Sequence, residues 1–152
     1  YVDISDSYFA NNLGDQIDLD YCNGSFTGNK LVFESYEGLN NLEVDGIDIS
    51  GSEINIIENI FENFSDKGIS VGENSYPFIY KNNIMNSNMA IAVKDGSIAK
   101  IDKNTYENNS IDISMYIKKK LYSKPSIILN KDNKNLNIKT INGEIIYQNI
   151  EK

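Results

Sequence analysis

Two short patterns recur along this chain at nearly one spacing, and that periodicity limits the possible folds more than any other feature. The first is apolar-x-apolar-x-x-Asn-x-apolar. It reads Ile54, Ile56, Asn59, Phe61, then Phe78, Tyr80, Asn83, Met85, then Ala99, Ile101, Asn104, Tyr106. Val2, Ile4, Ser7, Phe9 fit with Ser in the Asn slot, and Gly24, Phe26, Asn29, Leu31 fit with Gly in the first slot. The second pattern is Ile-x-(Ile/Leu/Val). Its copies are Ile17-Asp18-Leu19, Ile47-Asp48-Ile49, Ile69-Ser70-Val71, Ile91-Ala92-Val93 and Ile111-Asp112-Ile113. The leading Ile positions lie 30, 22, 22 and 20 residues apart, and the Asn-slot positions 22, 30, 24 and 21 apart. Two independent series thus share one period.

Apolar and polar residues alternate over three to five positions in each copy, which describes a short strand with one buried face. No apolar face repeats at helical spacing. A unit of this length with two or three strands cannot bury its own face, but stacked units can, with equivalent positions about 4.8 Å apart. The expected fold is therefore all-β: a right-handed parallel β-helix of about five coils. Ile would stack on Ile, and the recurring Asn would form a side-chain ladder at a corner, pairing backbone groups that the turn leaves open. A leucine-rich repeat would need a helical half, and a β-sandwich would need hairpin turns every 8–12 residues. The one strong hairpin signal is Asn142-Gly143. The repeat grammar stops after Ile113, and Lys118, Lys119 and Lys120 break it. We therefore expect repeats over residues 1–125 and a C-terminal antiparallel hairpin or cap of the same domain over 126–152, with the Lys-rich tail facing solvent or the acidic body.

Charge narrows the partners. The formal net charge is −8. Residues 1–114 hold 19 Asp and Glu against 6 Lys, and residues 115–152 hold 3 against 8. The acidic body repels nucleic acid and anionic membranes, and no apolar run is long enough to insert into a bilayer. Cys22 is the single cysteine and there is no His, so it reads as a small semi-buried filler rather than a nucleophile. The sequence opens inside a repeat, as a piece of a larger protein would.

Candidate chemistry gathers on one face. Side chains between the paired Ile residues point outward, which places Asp18 and Asp48 in the same slot on adjacent coils. Asp15 and Asp45 sit two residues before the strands that begin at Ile17 and Ile47, and also coincide. With Asp20 and Asp66, six carboxylates converge over three coils. Stacked like charges need compensation. Either a hard cation such as Ca²⁺ supplies it, with Asp18 and Asp48 as ligands, or Lys67 does, since it takes the slot of Asp15 and Asp45 in the next coil. Asp112 is the matching outward residue two coils on. The long insertion at about residues 34–44, with Glu34, Tyr36, Glu37 and Glu43, lies beside this face. Paired carboxylates also suit acid–base work on glycosidic bonds. Without Arg or His, however, the base would have to be Lys67, Lys94 or an Asp, and no catalytic residue is assigned. Among the tyrosines, Tyr80 and Tyr106 fall in core slots of the repeat, which leaves Tyr76, Tyr116 and Tyr122 as surface platforms for sugar rings.

The segments DGIDISGS (45–52), DKGISVGENS (66–75) and AVKDGS (92–97) resemble the right-handed parallel β-helix repeat proteins of the pectate-lyase-like superfamily. The likeness covers about residues 1–126 and is nearest to bacterial surface members, some of which carry the repeat beside a CotH-like kinase domain. It implies the fold more than an activity, because that superfamily holds lyases, hydrolases, epimerases, adhesins and spacers. Its enzymes typically use Arg or Lys as base. The expectation is a non-catalytic β-helix scaffold or interaction domain of a larger extracellular or cell-surface protein. Its partner would be a polysaccharide or another surface protein. The alternative is a polysaccharide lyase or hydrolase acting through the acidic face.

Overall fold

The computed structural model describes residues 1–34, 42–133 and 135–150. Strands fill them in a repeating order of three per coil. The first coil comprises β1 (Val2–Ser5), β2 (Tyr8–Ala10) and β3 (Ile17–Asp20), and the second β4 (Asn23–Thr27), β5 (Lys30–Val32) and β6 (Ile47–Ser50). The third comprises β7 (Glu53–Ile57), β8 (Ile60–Glu62) and β9 (Lys67–Gly72), and the fourth β10 (Phe78–Tyr80), β11 (Asn83–Met85) and β12 (Met89–Lys94). The fifth has β13 (Ile98–Asp102), β14 (Thr105–Glu107) and β15 (Ile111–Tyr116); then follow β16 (Ser126–Asn130), β17 (Ile138–Thr140) and β18 (Glu144–Gln148).

Each strand pairs in parallel with its counterpart one coil away. Three sheets result: sheet 1 in the order β1-β4-β7-β10-β13-β16-β18, sheet 2 in the order β14-β11-β8-β5-β2, and sheet 3 in the order β17-β15-β12-β9-β6-β3. This is a parallel β-solenoid of about six turns, with no helix among the described residues. Its interior is a set of columns. Ile17, Ile47, Ile69, Ile91 and Ile113 are register partners along sheet 3. Phe26, Ile56, Ile79 and Ile101 stack along sheet 1, and Leu31, Phe61 and Ile84 along sheet 2. Apart from the half-buried Ile17 at the first coil, these columns are closed to solvent. Each fully buried Ile contributes about 2–3 kcal/mol relative to exposure.

Every coil must turn three corners, and the corners share one design. A residue with positive φ comes first: Asp6, Gly28, Glu58, Lys81 and Lys103 at the corner between sheets 1 and 2. The next residue carries a short polar side chain that accepts from the backbone of the preceding coil. Ser7 N donates to Asn29 Oδ1 (3.0 Å), Asn29 N to Asn59 Oδ1 (2.8 Å), Asn59 N to Asn82 Oδ1 (2.9 Å) and Asn82 N to Asn104 Oδ1 (2.8 Å). The amide nitrogens bond backward, Asn59 Nδ2 to Phe26 O (2.8 Å) and Asn82 Nδ2 to Ile56 O (2.9 Å). A second ladder of hydroxyls runs at the corner between sheets 3 and 1. Cys22 N donates to Ser52 Oγ, Ser52 N to Ser75 Oγ and Ser75 N to Ser97 Oγ. Cys22 holds the Ser slot, its thiol donating to Asp20 O as Ser52 Oγ does to Ser50 O. Non-glycine residues at positive φ are unfavourable by about 1–2 kcal/mol each, and the ladders offset that by pairing amides the corners would orphan.

Three sequence expectations change. The ladder residue of the fourth coil is Asn82, not Asn83, so Ile79 and Ile84 point inward instead of Phe78, Tyr80 and Met85. Local apolarity cannot choose, because Phe78, Ile79 and Tyr80 are all apolar. The fit against Ile56 and Ile101 chooses Ile79. In the fifth coil the Ile91 partner is Ile113, not Ile111, which restores a 22-residue step and makes Ser114, not Asp112, the match for Asp48 and Ser70. Finally, no antiparallel hairpin forms among the described residues: β16 pairs in parallel with β13, β18 with β16, and β17 with β15. Asn142-Gly143 is a corner between strands of different sheets. Parallel stacking satisfies the open edges of β13 and β15 and buries Ile127 and Leu129, which a hairpin folded on itself would not do.

The ladder predicts a position-dependent cost. Asn59→Ala orphans Asn29 N and Phe26 O in the interior and should lose about 2–4 kcal/mol in urea unfolding. Asn104→Ala also orphans a backbone amide, Asn82 N, and Ile79 O, but Asn104 is half-buried and its Nδ2 has no further rung to bond among the described residues, so it should lose less. Equal, near-zero losses would refute a stabilising ladder.

Candidate functional site

The acidic face forms on the outer side of sheet 3, where in-register stacking places identical residues above one another. Asp18 and Asp48 are direct cross-strand partners, followed along the slot by Ser70, Ala92 and Ser114. Asp15 and Asp45 stack as well, at the corner entering the sheet. Asp45 N donates to Asp15 Oδ1 (3.0 Å), and Lys67 N donates to Asp45 Oδ1 (3.0 Å). These carboxylates therefore extend the corner ladders.

Lys67 occupies the third rung and turns its side chain back. Its Nζ lies 3.1 Å from Asp45 Oδ1 and 3.2 Å from Asp45 Oδ2, and also contacts Asp66. Asp45 and Lys67 are each only 6% exposed, so Asp45 is not the accessible surface acid that its outward position implies. Asp15 and Asp48 are half-buried, and Asp18 and Asp20 are exposed. Burial pushes the Asp45 carboxyl up to about 6; Lys67 pulls the other way, and Asp66 and Asp15 add to the rise. For Lys67 burial favours deprotonation, but the contacts with Asp66 and Asp45 outweigh it and hold the ammonium above its ordinary value. One ammonium among three carboxylates leaves excess negative charge, and the most buried carboxylate bears it. Burial, then Asp20, Asp48 and Asp15, also raise Asp18.

A second lysine completes the face. Lys94, 4% exposed on β12, donates to Ser70 Oγ (2.7 Å) and lies 3.9 Å from Asp48 Oδ1. The Lys94 stem passes over Gly72, where a Cβ would stand in ordinary contact 3.5 Å from Lys94 Cε. Burial lowers the Lys94 pKa, with Asp48 opposing. Tyr116, the register partner of Lys94, is half-buried beside them, and burial raises its hydroxyl. The sequence contained Lys94 as a candidate base, but not its pairing with Ser70 and Asp48, because that needs the chain to cross two coils.

One oxygen from each of Asp15, Asp45 and Asp48 falls within 4.8 Å of the others. Such oxygens suit a hard cation, and both oxygens of Asp45 also face the Lys67 ammonium. Asp18 is outside that group. Of the insertion beside the face, residues 35–41, with Tyr36 and Glu37, lie outside the described residues. Asp112 accepts from Asn137 N and takes no place in the cluster. Among the tyrosines, Tyr122 donates to Glu73 Oε2 (3.4 Å). Tyr106 packs against the core as expected. Tyr80 instead lies on the outer face of sheet 1, stacked on Phe78, and Tyr76 is exposed on the same face.

Parallel sheets closed into a three-sided coil, with side-chain ladders at the corners, define a β-helix. Comparison with protein families matches residues 1–149 to the right-handed β-helix region, and the chain belongs to that family. Comparisons with curated proteins and with solved structures gave no match.

The buried charges carry a pH signature. The folded-state Asp45 value lies above its ordinary 3.8, so the folded chain binds the extra proton, and stability falls as pH rises from about 4 to about 6. Melting temperature should decline across that window, and Asp45→Asn should flatten the decline. Lys67→Met should cost about 3 kcal/mol at pH 7 by stranding Asp45 and Asp66. A flat wild-type profile, unchanged by Asp45→Asn, would disprove a strained carboxylate.

Proposed function

We propose that this chain is a non-catalytic scaffold or interaction domain of a larger secreted or surface protein, and that it engages glycans. The pectate-lyase-like placement and the neighbourhood of a CotH-like kinase domain belong to the same proposal. The supporting observation is the commitment of both lysines on the acidic face. Lys67 is held by Asp45 and Asp66, and Lys94 by Ser70 with Asp48 beyond it. A general base must be free to take a proton from a bound substrate. Lys67 has its proton held by two carboxylates, and both lysines are buried. Four stacked carboxylates, with Asp20 and Asp66 near them, against two ammonium groups also disfavour an acidic polysaccharide on this face.

The second reading, a lyase or hydrolase, has one observation in its favour: the lowered pKa of Lys94 beside Asp48, the direction a catalytic base needs. Assays of unsaturated product and of reducing ends on acidic polysaccharides separate the two. The expected result is no turnover. Turnover that disappears in both Asp18→Asn and Asp48→Asn would replace the scaffold with an enzyme.

A further inference from the structure

The outer face of sheet 1 carries a different chemistry from the acidic face. An open hollow of about 370 Å³ lies there across the third, fourth and fifth coils, a volume within the range of small-ligand sites. Its floor is Pro77, Phe78 and Ile98, and Tyr76, 52% exposed, stands at its side. Phe78 is held from behind: its ring stacks on Tyr80 at 5.2 Å between centroids and 24° between planes. Tyr80 is in turn flanked by the ammonium groups of Lys81 (5.5 Å) and Lys103 (5.7 Å). The aromatic platform is therefore fixed before any ligand arrives.

Polar groups of opposite character line the two sides. Asn55 and Lys100 are the register partners of Phe78 on the neighbouring strands. They bracket the ring across two strand spacings, about 10 Å. Glu53 stands beside Asn55 on the same side. Among the described residues, the side chains of Glu53, Asn55 and Lys100 take no hydrogen bond or ion pair. They offer a carboxylate acceptor, an amide that donates and accepts, and an ammonium donor.

We propose that this hollow is a binding site for one neutral pyranose unit of a polysaccharide. A pyranose has an apolar C–H face, which stacks on an aromatic ring, and a rim of hydroxyls that each donate and accept. Phe78 and Tyr76 meet the face. Glu53 and Asn55 meet hydroxyls on one side and Lys100 meets those on the other. The carboxylate and the ammonium cancel, so the site lacks the net charge that would select a uronate or an amino sugar. This proposal rests on the glycan reading above and locates it on sheet 1, away from the Asp15, Asp18, Asp45 and Asp48 face.

The test is calorimetric titration of the full chain with cellohexaose, mannohexaose and, as a charged control, hexagalacturonate. Binding of a neutral hexasaccharide is expected, weakened about tenfold or more by Phe78→Ala and by Tyr76→Ala. Tyr76 is exposed, so its variant guards against a folding defect. The paired Asp18→Asn and Asp48→Asn variant should bind as the wild type does. Preference for hexagalacturonate, or binding that survives both aromatic variants but is lost in the Asp pair, overturns the sheet 1 site and leaves the glycan reading standing. No binding to any of the three overturns both.

Discussion

Backbone amides at the corners of each coil must find partners one coil away, and side chains of Asn, Ser and Asp provide them. A left-handed residue turns the chain, and the next side chain accepts from the neighbouring coil. Because each rung bonds one particular residue of the next coil, the ladders set register as well as satisfying the turn. In-register stacking follows, and from it the columns of Ile, Phe and Val that fill the interior. Insertions between corners leave the register intact. The second coil carries its extra residues between β5 and β6, yet Ile47 still meets Ile17 and Ile69.

The same rule creates the electrostatic tension on sheet 3. A fold that sets Ile over Ile also sets Asp48 over Asp18 and Asp45 over Asp15. The chain resolves this within its own sequence by changing charge sign at the next rung, where Lys67 replaces the carboxylate. At the next outward position it places Ser70, whose hydroxyl receives Lys94 as that side chain reaches back toward Asp48. The result is a compact ionic cluster in which Asp45 and both ammonium groups are buried. The outer face of sheet 1 has no such column of like charge. Its outward slot changes from Asn55 to Phe78 to Lys100, and that variety, with side chains left free, is what a recognition surface needs.

Much of this was legible in the residues. The period, five of about six turns, the Ile column from Ile17 to Ile91, the Asn ladder outside the fourth coil, the stacking of Asp18 on Asp48 and of Asp15 on Asp45, and the slot of Lys67 follow from spacing, because a solenoid converts sequence period directly into spatial neighbourhood. Ser52, Ser75 and Ser97 form a second ladder at nearly the same period, and that spacing was available to be read. The aromatic side of sheet 1 was hidden by the one-residue slip at Asn82, which turned Phe78 and Tyr80 inward on paper.

The sequence by itself determined which stretches are strands, how often they recur and what their shared columns contain. Only the tertiary structure decided Asn82 over Asn83, Ile113 over Ile111, and parallel stacking over a hairpin at Asn142-Gly143. Each choice lies between alternatives that are locally equivalent: two adjacent Asn, two Ile two residues apart, and one turn signal that serves a corner or a hairpin. The difference in free energy resides in the neighbouring coil, in the edge hydrogen bonds and the apolar columns it offers. The burial of Asp45 and the reach of Lys94 have the same origin, since both depend on side chains that are distant along the chain and adjacent only after stacking.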